Sequence, residues 1–435
     1  MPKKDKIDVI VVGAGPAGIA CAVTIARGGK KVVLIERGSF AGSKNVFGGA
    51  IYTQPMKEIF PNFEVSAPLE RRNVEHKFAI LGEEDSTVIS YKNKNEKAGS
   101  YTVIRGKFDR WMAEEAKKEG VYLVEKTVVR ELLTQDGKVV GVKTELEDYY
   151  ADIVVLADGV NSLLARQIGL REDIQTKDVA LSVKEVIKFD KEKINDRFNV
   201  SDDEGCIYEI FGGPMLGMLG LAFMYTNQNS VTIGVGITLN ELVERGLRPY
   251  DLLEKLKTHP TIAPLIKDGK LEEYSAHLIP EGGYNKVPKL SSDGVMIVGD
   301  AGMLVNNLHW EGTNLAMISG KLAGETAVCA LKEKNFSAEF LKRYDEKLAN
   351  SFVMKDLKTY KDLMNIAHKK SESFLDYYLR SINSFFEMFT SVDSIPKREK
   401  YYGFIKSFFK GRKFSEFMSD AWNALKLVWS ILKWY

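Results

Sequence analysis

The fold follows from Asp8-Val-Ile-Val-Val-Gly-Ala-Gly-Pro-Ala-Gly18. Residues 9–12 form a short apolar run typical of a buried parallel strand, and the small and aliphatic residues after Pro16 predict a helix that ends near Gly28. A strand, a glycine-rich turn and a helix in this order open the βαβ unit that binds dinucleotides. The sequence therefore predicts a dinucleotide site at this turn.

The three glycines of the turn have separate predicted roles. Gly13 permits the tight turn, Gly15 lets the backbone approach a pyrophosphate, and Gly18 lets the helix pack closely on the strand. The helix start at Pro16 and Ala17 directs the positive end of the helix dipole toward the phosphates. A strand-to-helix turn without a ligand is the alternative explanation of the same pattern.

A second predicted strand, residues 31–36, ends at Glu36, which is followed by Arg37. Glu36 lies at about the distance from the glycines at which an acidic residue accepts hydrogen bonds from a ribose 2′-hydroxyl, and it would repel a 2′-phosphate. Both Glu36 and Arg37 belong to the predicted cofactor site. This motif alone leaves NAD and FAD open.

Composition excludes several classes of protein. The chain has 435 residues, 45% of them hydrophobic, which is enough for two or three domains with cores. A net charge of +2 argues against a nucleic-acid surface spread over the molecule. Cys21, Cys206 and Cys329 are too few and too far apart for an iron–sulfur cluster or a zinc site, and no metal is predicted. The first residues show no signal-peptide pattern, so we expect a catalytic body in a reducing cytoplasm.

Two further apolar strands end in cofactor-like turns. Residues 152–156 lead into Ala157-Asp158-Gly159, and residues 294–298 lead into Gly299-Asp300. Because the carboxyl ends of parallel strands meet at one edge of a sheet, these turns should lie beside the glycine turn. A nicotinamide cofactor needs one such turn. The longer FAD needs adenine contacts at one end and ribityl contacts near the flavin, and segments distant in sequence would supply them. We predict that Asp300 contacts the ribityl chain; the alternative is that it caps a helix.

Arg105 precedes a predicted amphipathic helix that runs to about Glu119. Near the pyrophosphate, its guanidinium would offer bidentate donors that no backbone amide can match. A buried salt bridge is the equally weighted alternative. The apolar face of this helix is predicted to contain Phe108, Trp111, Met112 and Ala116.

Together these segments resemble the glutathione-reductase superfamily of flavoproteins, in the branch with geranylgeranyl reductases and aromatic hydroxylases. Four stretches are similar to a smaller family, the FixC proteins, which are relatives of electron-transfer flavoprotein:quinone oxidoreductase. They are residues 41–52 (AGSKNVFGGAIY), Val186 with residues 194–199 (INDRFN), residues 274–283 (YSAHLIPEGG) and residues 293–301 (DGVMIVGDA). The resemblance covers roughly residues 5–365.

The resemblance implies one FAD, the two electron-transfer flavoprotein subunits as partners, and a small ferredoxin-like chain (FixX-like) that carries the missing cluster. It adds Gly48, Gly49 and Val128 to the predicted cofactor site. It also implies that the helix start at Gly312 and Thr313 faces the flavin pyrimidine and stabilises negative charge on the reduced ring. The stretch His309-Trp310-Glu311 just before it departs from the family pattern.

The predicted architecture is α/β: a Rossmann-type FAD-binding domain with an inserted antiparallel β-sheet substrate domain and a helical C-terminal region. Strands are expected near residues 179–189, 206–211, 231–238 and 272–279, and a short helix capped by Asn240 is expected before Gly246. The expected domains are residues 1–72, 100–170 and 292–335 for FAD, residues 73–99 and 171–291 for quinone or substrate, residues 336–395 for C-terminal helices, and residues 396–435 for an amphipathic tail.

Two segments suggest apolar partners. Residues 212–225 are apolar, glycine-dotted and methionine-rich, which suits a wall for a quinone as well as it suits ordinary core strands. By resemblance, the backbone groups of Gly220 and Leu221 are the predicted quinone contacts.

His277 is interpreted as structural, and no side chain is assigned as catalytic, since the flavin itself is the catalyst.

The tail, residues 396–435, contains nine basic and three acidic residues together with many aromatic ones. On a helical projection a polar stripe faces an apolar stripe, and Lys426 and Lys433 interrupt the apolar residues before they reach the length of a membrane span. We therefore expect this helix to lie in a membrane interface; docking on the body or on a partner chain is the alternative. The polar stripe is Glu416, Ser419, Asp420, Asn423, Lys426, Ser430 and Lys433, and the apolar stripe is Met418, Ala421, Trp422, Leu425, Val428, Trp429 and Leu432.

The resemblance implies electron transfer from a reduced electron-transfer flavoprotein to menaquinone or ubiquinone, directly or through the ferredoxin-like chain. Together with the tail, it predicts a protein bound peripherally at the cytoplasmic side of the inner membrane. The resemblance also implies bifurcation of NADH electrons by the complex. One alternative is an NAD(P)H-dependent enzyme of the geranylgeranyl-reductase or hydroxylase type. Another is a flavin-free interaction protein.

Overall fold

The computed structural model describes residues 7–44, 48–93, 99–215 and 217–432. Residues 45–47 of the family-like stretch, and Lys433, Trp434 and Tyr435 of the tail, lie outside the described residues. The strands, in chain order, are β1 (Ile7–Val12), β2 (Val32–Ile35), β3 (Ala50–Tyr52), β4 (Leu69–Leu81), β5 (Ser86–Lys92), β6 (Ser100–Val103), β7 (Tyr122–Val124), β8 (Val129–Gln135), β9 (Lys138–Thr144), β10 (Asp148–Leu156), β11 (Val179–Lys188), β12 (Glu204–Gly212), β13 (Gly220–Thr226), β14 (Ser230–Thr238), β15 (Lys270–Pro280), β16 (Ser291–Ser292) and β17 (Val295–Ile297).

The helices follow the same order. They are α1 (Pro16–Arg27), α2 (Thr53–Ile59), α3 (Phe63–Ser66), α4 (Arg105–Lys118), α5 (Leu163–Gln167), α6 (Lys191–Phe198), α7 (Leu239–Arg245), α8 (Pro249–Thr258), α9 (Ala263–Ile266), α10 (Thr313–Glu333), α11 (Ala338–Asn350), α12 (Phe352–Thr359), α13 (Leu363–Glu372), α14 (Tyr378–Thr390), α15 (Lys397–Lys410) and α16 (Phe414–Leu432). A π-helical turn, Ser373–Tyr377, joins α13 to α14.

The chain divides into two compact units. The first comprises Met1–Glu70, Glu96–Val179 and His277–Lys361, and the second comprises Arg71–Asn95, Ala180–Ala276 and Asp362–Tyr435. The helical region expected as one body, residues 336–395, is thereby divided: α11 and α12 group with the first unit, and α13 and α14 with the second. Residues 171–179 and 277–291 also group with the first unit.

The first unit is built on a parallel sheet, as predicted. The strand order is β16-β17-β10-β1-β2-β7, and the neighbours from β17 to β7 are all parallel. The hairpin of β8 and β9 extends β10 on its antiparallel side, and β3 pairs with β6. β1 and β2 are apolar and buried on both faces, as strands covered by helices must be. This is the predicted Rossmann-type architecture.

Helix α10 packs closely against α1. A Cβ atom added at Gly320 would overlap the Ala17 carbonyl, and one at Gly324 would lie 2.8 Å from the Cys21 carbonyl oxygen. Ser319 of α10 accepts a hydrogen bond from the Gly299 N–H at 2.9 Å. The small residues of both helices therefore bring the starts of α1 and α10 close to the end of β17.

The second unit contains the predicted antiparallel strands. The order is β15-β11-β14-β13-β12-β4, with β5 paired to β4, and β12 lies parallel to β4. The expected cap is wrong by two residues: Thr238 is the N-cap of α7, and Asn240 lies inside the helix. Both residues are good caps, but β14 continues to Thr238 and the helix begins at once. Among the described residues, no helix is both long and apolar enough to cross a membrane.

Candidate functional site

The ends of four parallel strands of the first unit lie in one row. In the strand register, Val12 pairs with Ile35 and with Leu156, and Leu156 pairs with Ile297. The residues that follow these positions include Gly13, Glu36, Ala157 and Asp158, with Gly299 two residues after Ile297. The sequence prediction that these turns converge is thus confirmed. The carboxyl edge of this sheet is where a doubly wound fold binds its ligand.

The three glycines of the first turn differ in the space around them. Gly13 has a φ of +104°, and a Cβ atom there would overlap the Ala157 carbonyl. A Cβ atom at Gly18 would overlap the Gly13 carbonyl and lie 3.2 Å from the Ala157 Cβ. Gly13 and Gly18 are therefore required by the fold. At Gly15 an added Cβ atom would meet nothing within 4 Å, so open space for a ligand lies at this residue alone of the three.

The start of α1 carries no compensating acid. Gly15 is its N-cap, Pro16 its first residue, and no acidic side chain lies in the first turn. The amides of this turn and the helix dipole are available to an anion. A pyrophosphate would bring two negative charges to this position.

Glu36 is held against the glycine turn. Its Oε2 accepts a hydrogen bond from the Ala14 N–H at 3.0 Å, and its Oε1 accepts one from the Gly38 N–H at 2.6 Å. The Glu36 carbonyl accepts the Thr127 N–H at 3.0 Å, which places the half-buried Val128 beside the same strand end. Arg37 is exposed. Backbone donors therefore fix the carboxylate at the position predicted for a ribose.

Arg105 forms the buried salt bridge that the sequence left as an alternative. It is the first residue of α4, where the sequence placed it just before the helix, and its Nε and Nη2 donate to the two carboxylate oxygens of Asp109 at 2.7 and 2.8 Å. Its Nη1 reaches the Gly48 carbonyl at 3.4 Å. A Cβ atom added at Gly48 would lie 3.5 Å from that Nη1 and 3.8 Å from Thr313 Oγ1. The salt bridge orients the guanidinium toward Gly48 and Thr313, while pyrophosphate contact remains a prediction.

Other predicted cofactor residues also lie in this unit. The Gly49 carbonyl accepts the Val103 N–H at 2.8 Å, and Gly312 is the N-cap of α10, whose first turn also lacks acidic residues. A Cβ atom at Gly299 would lie 2.8 Å from the Ala17 Cβ, between the starts of α1 and α10. At Gly159 an added Cβ atom would face open space.

Two acidic side chains at the strand ends, Asp158 and Asp300, have acceptor oxygens to which no described side chain donates a hydrogen bond. Burial raises the pKa of Asp300 to about 6, although Arg105 and Arg171 oppose the shift. No described side chain donates a hydrogen bond to its carboxylate. Burial likewise raises the pKa of Asp158 to about 6, and its Oδ1 is buried without a hydrogen-bond partner among the described residues. Hydroxyl donors, such as those of a ribityl chain, would satisfy such acceptors.

Sequence reasoning missed Arg171. This buried residue donates to the Ala301 carbonyl at 3.0 Å and contacts Met303 Sδ at 2.9 Å. Its charge acts on both Asp158 and Asp300. It follows α5 in a loop with no motif, so only the three-dimensional structure connects it with the strand ends.

A polar group at the end of β15 was also missed. Glu281 Oε2 accepts a hydrogen bond from Asn307 Nδ2 at 2.6 Å, and burial raises the pKa of Glu281 to about 8. The pKa of His277 falls to about 4, because of burial and then the charges of Arg105 and Arg37. The charges of Arg105 and Arg37, which both belong to the predicted cofactor site, thus act on His277. The neighbourhood of His277 and Glu281 was visible in the sequence, but the pair that forms is Glu281 with Asn307.

His309, Trp310 and Glu311, the stretch that differs from the family pattern, belong to a closed loop before α10. Asn306 and Glu311 exchange backbone hydrogen bonds at 2.9 and 3.2 Å, and the loop between them presents Trp310, exposed and with a φ of +53°. His309 Nε2 lies 3.2 Å from the Tyr360 hydroxyl. Glu311 accepts a hydrogen bond from Asn314 Nδ2 at 2.9 Å, which ties the loop to the start of α10.

Gly220 and Leu221 belong to the second unit. Both lie in β13, where Gly220 pairs with Ile237 and Leu221 with Gly236 of β14. The register with β12 begins only at Ala222, so these two residues lie at the start of β13 and pair with β14 alone. A Cβ atom at Gly220 would overlap the Gly236 carbonyl, which explains this glycine by sheet packing. Their contact with a quinone remains a prediction.

Known proteins resemble the chain over nearly its whole length. Residues 6–211 match the FAD binding domain family, and residues 363–429 match the ETF-QO/FixC family C-terminal domain. Protein FixC of Bradyrhizobium diazoefficiens is 42% identical over 428 residues, which are 97% of this chain and 98% of that protein. The chain belongs to the FixC family. Protein FixC of Azotobacter vinelandii is 42% identical over 98% of this chain and 99% of its own, and Protein FixC of Escherichia coli K12 is 40% identical over 83% and 85%.

Solved structures agree on the fold. A geranylgeranyl bacteriochlorophyll reductase-like protein from Thermoplasma acidophilum superposes with a TM-score of 0.72 at 22% identity, over 93% of this chain and 97% of its own. The myxobacterial chondrochloren halogenase CndH, an FAD-dependent halogenase, gives 0.65 at 17% identity, over 92% and 89%. Together with the match to the FAD binding domain, membership of the FixC family makes the chain an FAD-dependent oxidoreductase. The similarity extends beyond residue 365, where the sequence resemblance was expected to stop, to include the C-terminal helices.

The residues fit FAD. Open space at Gly15 lies at a helix start without acids, Glu36 is fixed at the end of β2, and Asp158 Oδ1 is buried without a hydrogen-bond partner among the described residues. The starts of α1 and α10 supply two positive helix ends in the same unit. In this arrangement Gly15 would lie at the pyrophosphate, Glu36 at the ribose and Asp300 at the ribityl chain.

Proposed function

We propose that this FixC-family protein transfers electrons from a reduced electron-transfer flavoprotein to a membrane quinone. Bound FAD would supply the chemistry, since a flavin exchanges electrons singly or in pairs. The observation that carries the proposal is the packing of α16, described below, because it leaves an apolar surface suited to the membrane in which quinones dissolve. Family membership supports the electron-transfer role.

Helix α16 packs with its polar side inward. Asp420, in the predicted polar stripe, is 2% exposed, whereas Trp422 and Trp429 of the apolar stripe are 61% and 63% exposed. Ser419 and Asn423 are also half-buried. Helices on a protein body normally bury their apolar side. The helix thus docks on the second unit by its polar side, and its exposed apolar side supports membrane contact.

The neighbouring helices extend this apolar surface. Phe386 and Phe389 of α14, and Tyr402 and Phe409 of α15, are also exposed. Lys397, Arg398, Lys406, Lys410 and Lys413 lie in the same segment of sequence. Aromatic and basic side chains together suit the headgroup region of an anionic bilayer. We therefore infer peripheral binding at the cytoplasmic side of the inner membrane.

The partners follow from what the chain lacks. Cys21 and Cys206 are buried, Cys329 is exposed, and no group of metal-binding residues occurs among the described residues. An iron–sulfur cluster would then reside on a ferredoxin-like, FixX-like chain, and NADH would be oxidised by the electron-transfer flavoprotein. Within such a complex, bifurcation would send high-potential electrons to menaquinone or ubiquinone, directly or through the ferredoxin-like chain, and low-potential electrons to ferredoxin or flavodoxin.

This chain's residues would position and tune the flavin. The start of α10 at Gly312 and Thr313 would stabilise negative charge on the reduced ring, since its first turn contains no acid. Arg105, oriented by Asp109, would neutralise the pyrophosphate. At the start of β13, the backbone of Gly220 and Leu221 would contact the quinone oxygens.

A second candidate is reduction of an isoprenoid or aromatic substrate with NAD(P)H. It is favoured by the fold similarity, at a TM-score of 0.72, to a geranylgeranyl bacteriochlorophyll reductase-like protein. Rapid bleaching of the purified flavoprotein by NADPH alone would support this candidate over electron transfer between proteins.

The deciding experiment mixes the partner flavoprotein, reduced by NADH, with this protein in the presence of a menaquinone analogue. We expect the flavin spectrum of this chain to bleach and then recover as the quinone is reduced. Reduction that requires only NADPH, without the partner, would overturn the proposal. Omitting the quinone should leave the flavin reduced, which serves as the control.

A further inference from the structure

Strand β5 forms an open edge of the sheet in the second unit. It pairs antiparallel with β4 along its whole length and without a bulge, and no other described strand pairs with it. Charged residues on an edge strand discourage pairing with another chain, and β15, at the opposite edge, carries Lys270, Glu272 and Glu273. Between Ser86 and Tyr91, β5 contains neither a charged residue nor a proline. This edge therefore lacks the features that block strand pairing.

The backbone groups on the outer side of β5 follow from its ladder with β4. The Asn93 N–H donates to the Val74 carbonyl at 2.7 Å, and the Asp85 carbonyl accepts the Gly82 N–H at 2.9 Å, so the backbone groups at Asp85 and Asn93 point toward β4. In an antiparallel ladder this direction alternates from residue to residue. The backbone groups that point away from β4 are thus those of Ser86, Val88, Ser90 and Lys92.

The side chains of β5 are apolar and exposed on both faces of the sheet. Ile89 and Tyr91 are 59% and 61% exposed on one face, and Val88 is exposed on the other. Phe78 of β4, which pairs with Ile89, is also exposed and continues the apolar row. Exposed apolar side chains along an unpaired edge indicate a surface that another strand covers.

The charges at the two ends of β5 have opposite signs. Residues 83–85 (Glu-Glu-Asp) precede the strand and are exposed, whereas residues 92–97 contain three lysines and one glutamate. Lys92 lies 3.6 Å from Glu75 Oε2 of its own chain, but 33% of its side chain stays exposed. An antiparallel second copy of β5 would bring each acidic end against a basic end, whereas a parallel copy would bring like charges together. The charge pattern is therefore complementary to itself.

We propose that two copies of this chain associate by antiparallel pairing of their β5 strands, which joins their sheets into one. The register that pairs every residue of β5 places Ile89 on the two-fold axis, opposite Ile89 of the second copy. Val88 then lies opposite Ser90 of the second copy, and Ser86 lies opposite Lys92, so the outward backbone groups exchange hydrogen bonds. Ile89 forms a pair without hydrogen bonds, in which the side chains approach most closely.

The first test is analytical ultracentrifugation of the FAD-loaded full chain at a series of concentrations, in dodecyl maltoside to cover the tail. We expect a monomer–dimer equilibrium. Ile89→Lys places two lysines opposite each other and should raise the dissociation constant about 10²-fold or more, since each dimer loses the burial of two apolar side chains. Leu271→Lys is the control, because Leu271 is similarly exposed in the opposite edge strand and this variant should dimerise like the natural protein. FAD content confirms that both variants fold.

Three results would overturn the proposal. The first is a natural protein that stays monomeric, or a dimer that Ile89→Lys does not weaken. The second is a dimer that is lost when Trp422 and Trp429 are replaced by alanine, which would show that the tail joins the copies. The third is a monomer that binds the electron-transfer flavoprotein and loses this binding in Ile89→Lys, which would assign β5 to that partner.

The second test examines the register by disulfide cross-linking. Cys329→Ser removes the exposed cysteine and leaves Cys21 and Cys206, which are buried. In this background, Ile89→Cys should form a covalent dimer on mild oxidation, because opposed residues in a pair without hydrogen bonds have the Cα separation that a disulfide requires. Leu271→Cys should stay monomeric. A covalent dimer that is equally abundant in both variants, or absent in Ile89→Cys, would exclude pairing centred on Ile89.

Discussion

Lys370 Nζ lies 2.9 Å from Asp420 Oδ1, which anchors the polar side of α16 on α13. Arg412 Nη1 lies 2.8 Å from Asp420 Oδ2, and the Tyr378 hydroxyl donates to the same oxygen at 3.0 Å. Burial opposes ionisation of Asp420, but these donors prevail and lower its pKa. The cluster explains how an amphipathic helix is held with its apolar side outward.

Asp420→Ala should therefore release α16. Removing one partner of a buried ion pair leaves the other charges unpaired, so we expect a loss of about 3 kcal/mol in the free energy of unfolding of the second unit. Denaturant unfolding, with hydrogen exchange on α16, would measure this. Glu399→Ala, at an exposed position of α15, should change stability by less than about 1 kcal/mol. Equal losses in both variants would contradict the role of the cluster.

Replacement of Trp422 and Trp429 by alanine should weaken binding to anionic vesicles. Burying a large apolar side chain contributes roughly 1.5–3 kcal/mol, so each change should reduce vesicle affinity about tenfold or more. Cosedimentation with phosphatidylglycerol vesicles measures it, and FAD content should stay unchanged. Tyr122→Ala, which alters an aromatic residue equally exposed in the first unit, is the control. Undiminished sedimentation of the double variant would contradict the interface.

The nucleotide-binding part of the fold could be predicted because its signals are local. The apolar run of β1, the turn glycines and Glu36 each follow from short-range chemistry, and the strand register then brings the later turns to the same edge. The cap of α7 was misplaced because Thr238 and Asn240 are chemically similar, and only the length of β14 distinguishes them.

What the sequence could not give depends on long-range packing. Arg171 contacts residues about 130 positions away, and Glu281 pairs with Asn307, which is 26 positions away. The stripes of α16 were readable, but the side that faces the body depends on Lys370 and Tyr378, more than 40 residues earlier in the chain. The periodicity of a sequence shows which residues share a helix face, but it does not show what that face packs against.

Gly15 and Gly18 should respond differently to added side chains. Gly18→Ala would overlap the Gly13 carbonyl and should destabilise the fold by a few kcal/mol. Gly15→Val faces open space and has a φ of −81°, so it should leave the fold intact but lower FAD affinity. Circular dichroism melting and flavin titration separate the two effects. Normal FAD binding by Gly15→Val would show that the ligand does not approach this turn.

Glu36→Lys should weaken retention of FAD. The substitution removes the acceptor predicted for the ribose and also the partner of the Ala14 and Gly38 amides. Loss of a charged hydrogen-bonding group costs roughly 1.5–3 kcal/mol, so we expect at least about a tenfold loss of affinity. The flavin-to-protein absorbance ratio after gel filtration measures it. Glu131→Lys, at an exposed position of β8, should retain its flavin, and an unchanged ratio in Glu36→Lys would contradict the assignment.

The stability of the protein should depend on pH through Glu281. The folded state holds the proton up to about pH 8, whereas the unfolded chain releases it near the ordinary value of 4.5. Between these values the folded state binds more protons, so the free energy of unfolding falls as the pH rises, by roughly 2–5 kcal/mol in total. Glu281→Gln carries no proton to lose and should remove this decline, making the variant more stable than the natural protein at pH 8 and similar at pH 4.5. Denaturant unfolding across this range, with Glu272→Gln as the control, measures it; parallel curves for the natural protein and Glu281→Gln would show that the carboxyl group is already ionised in the folded state.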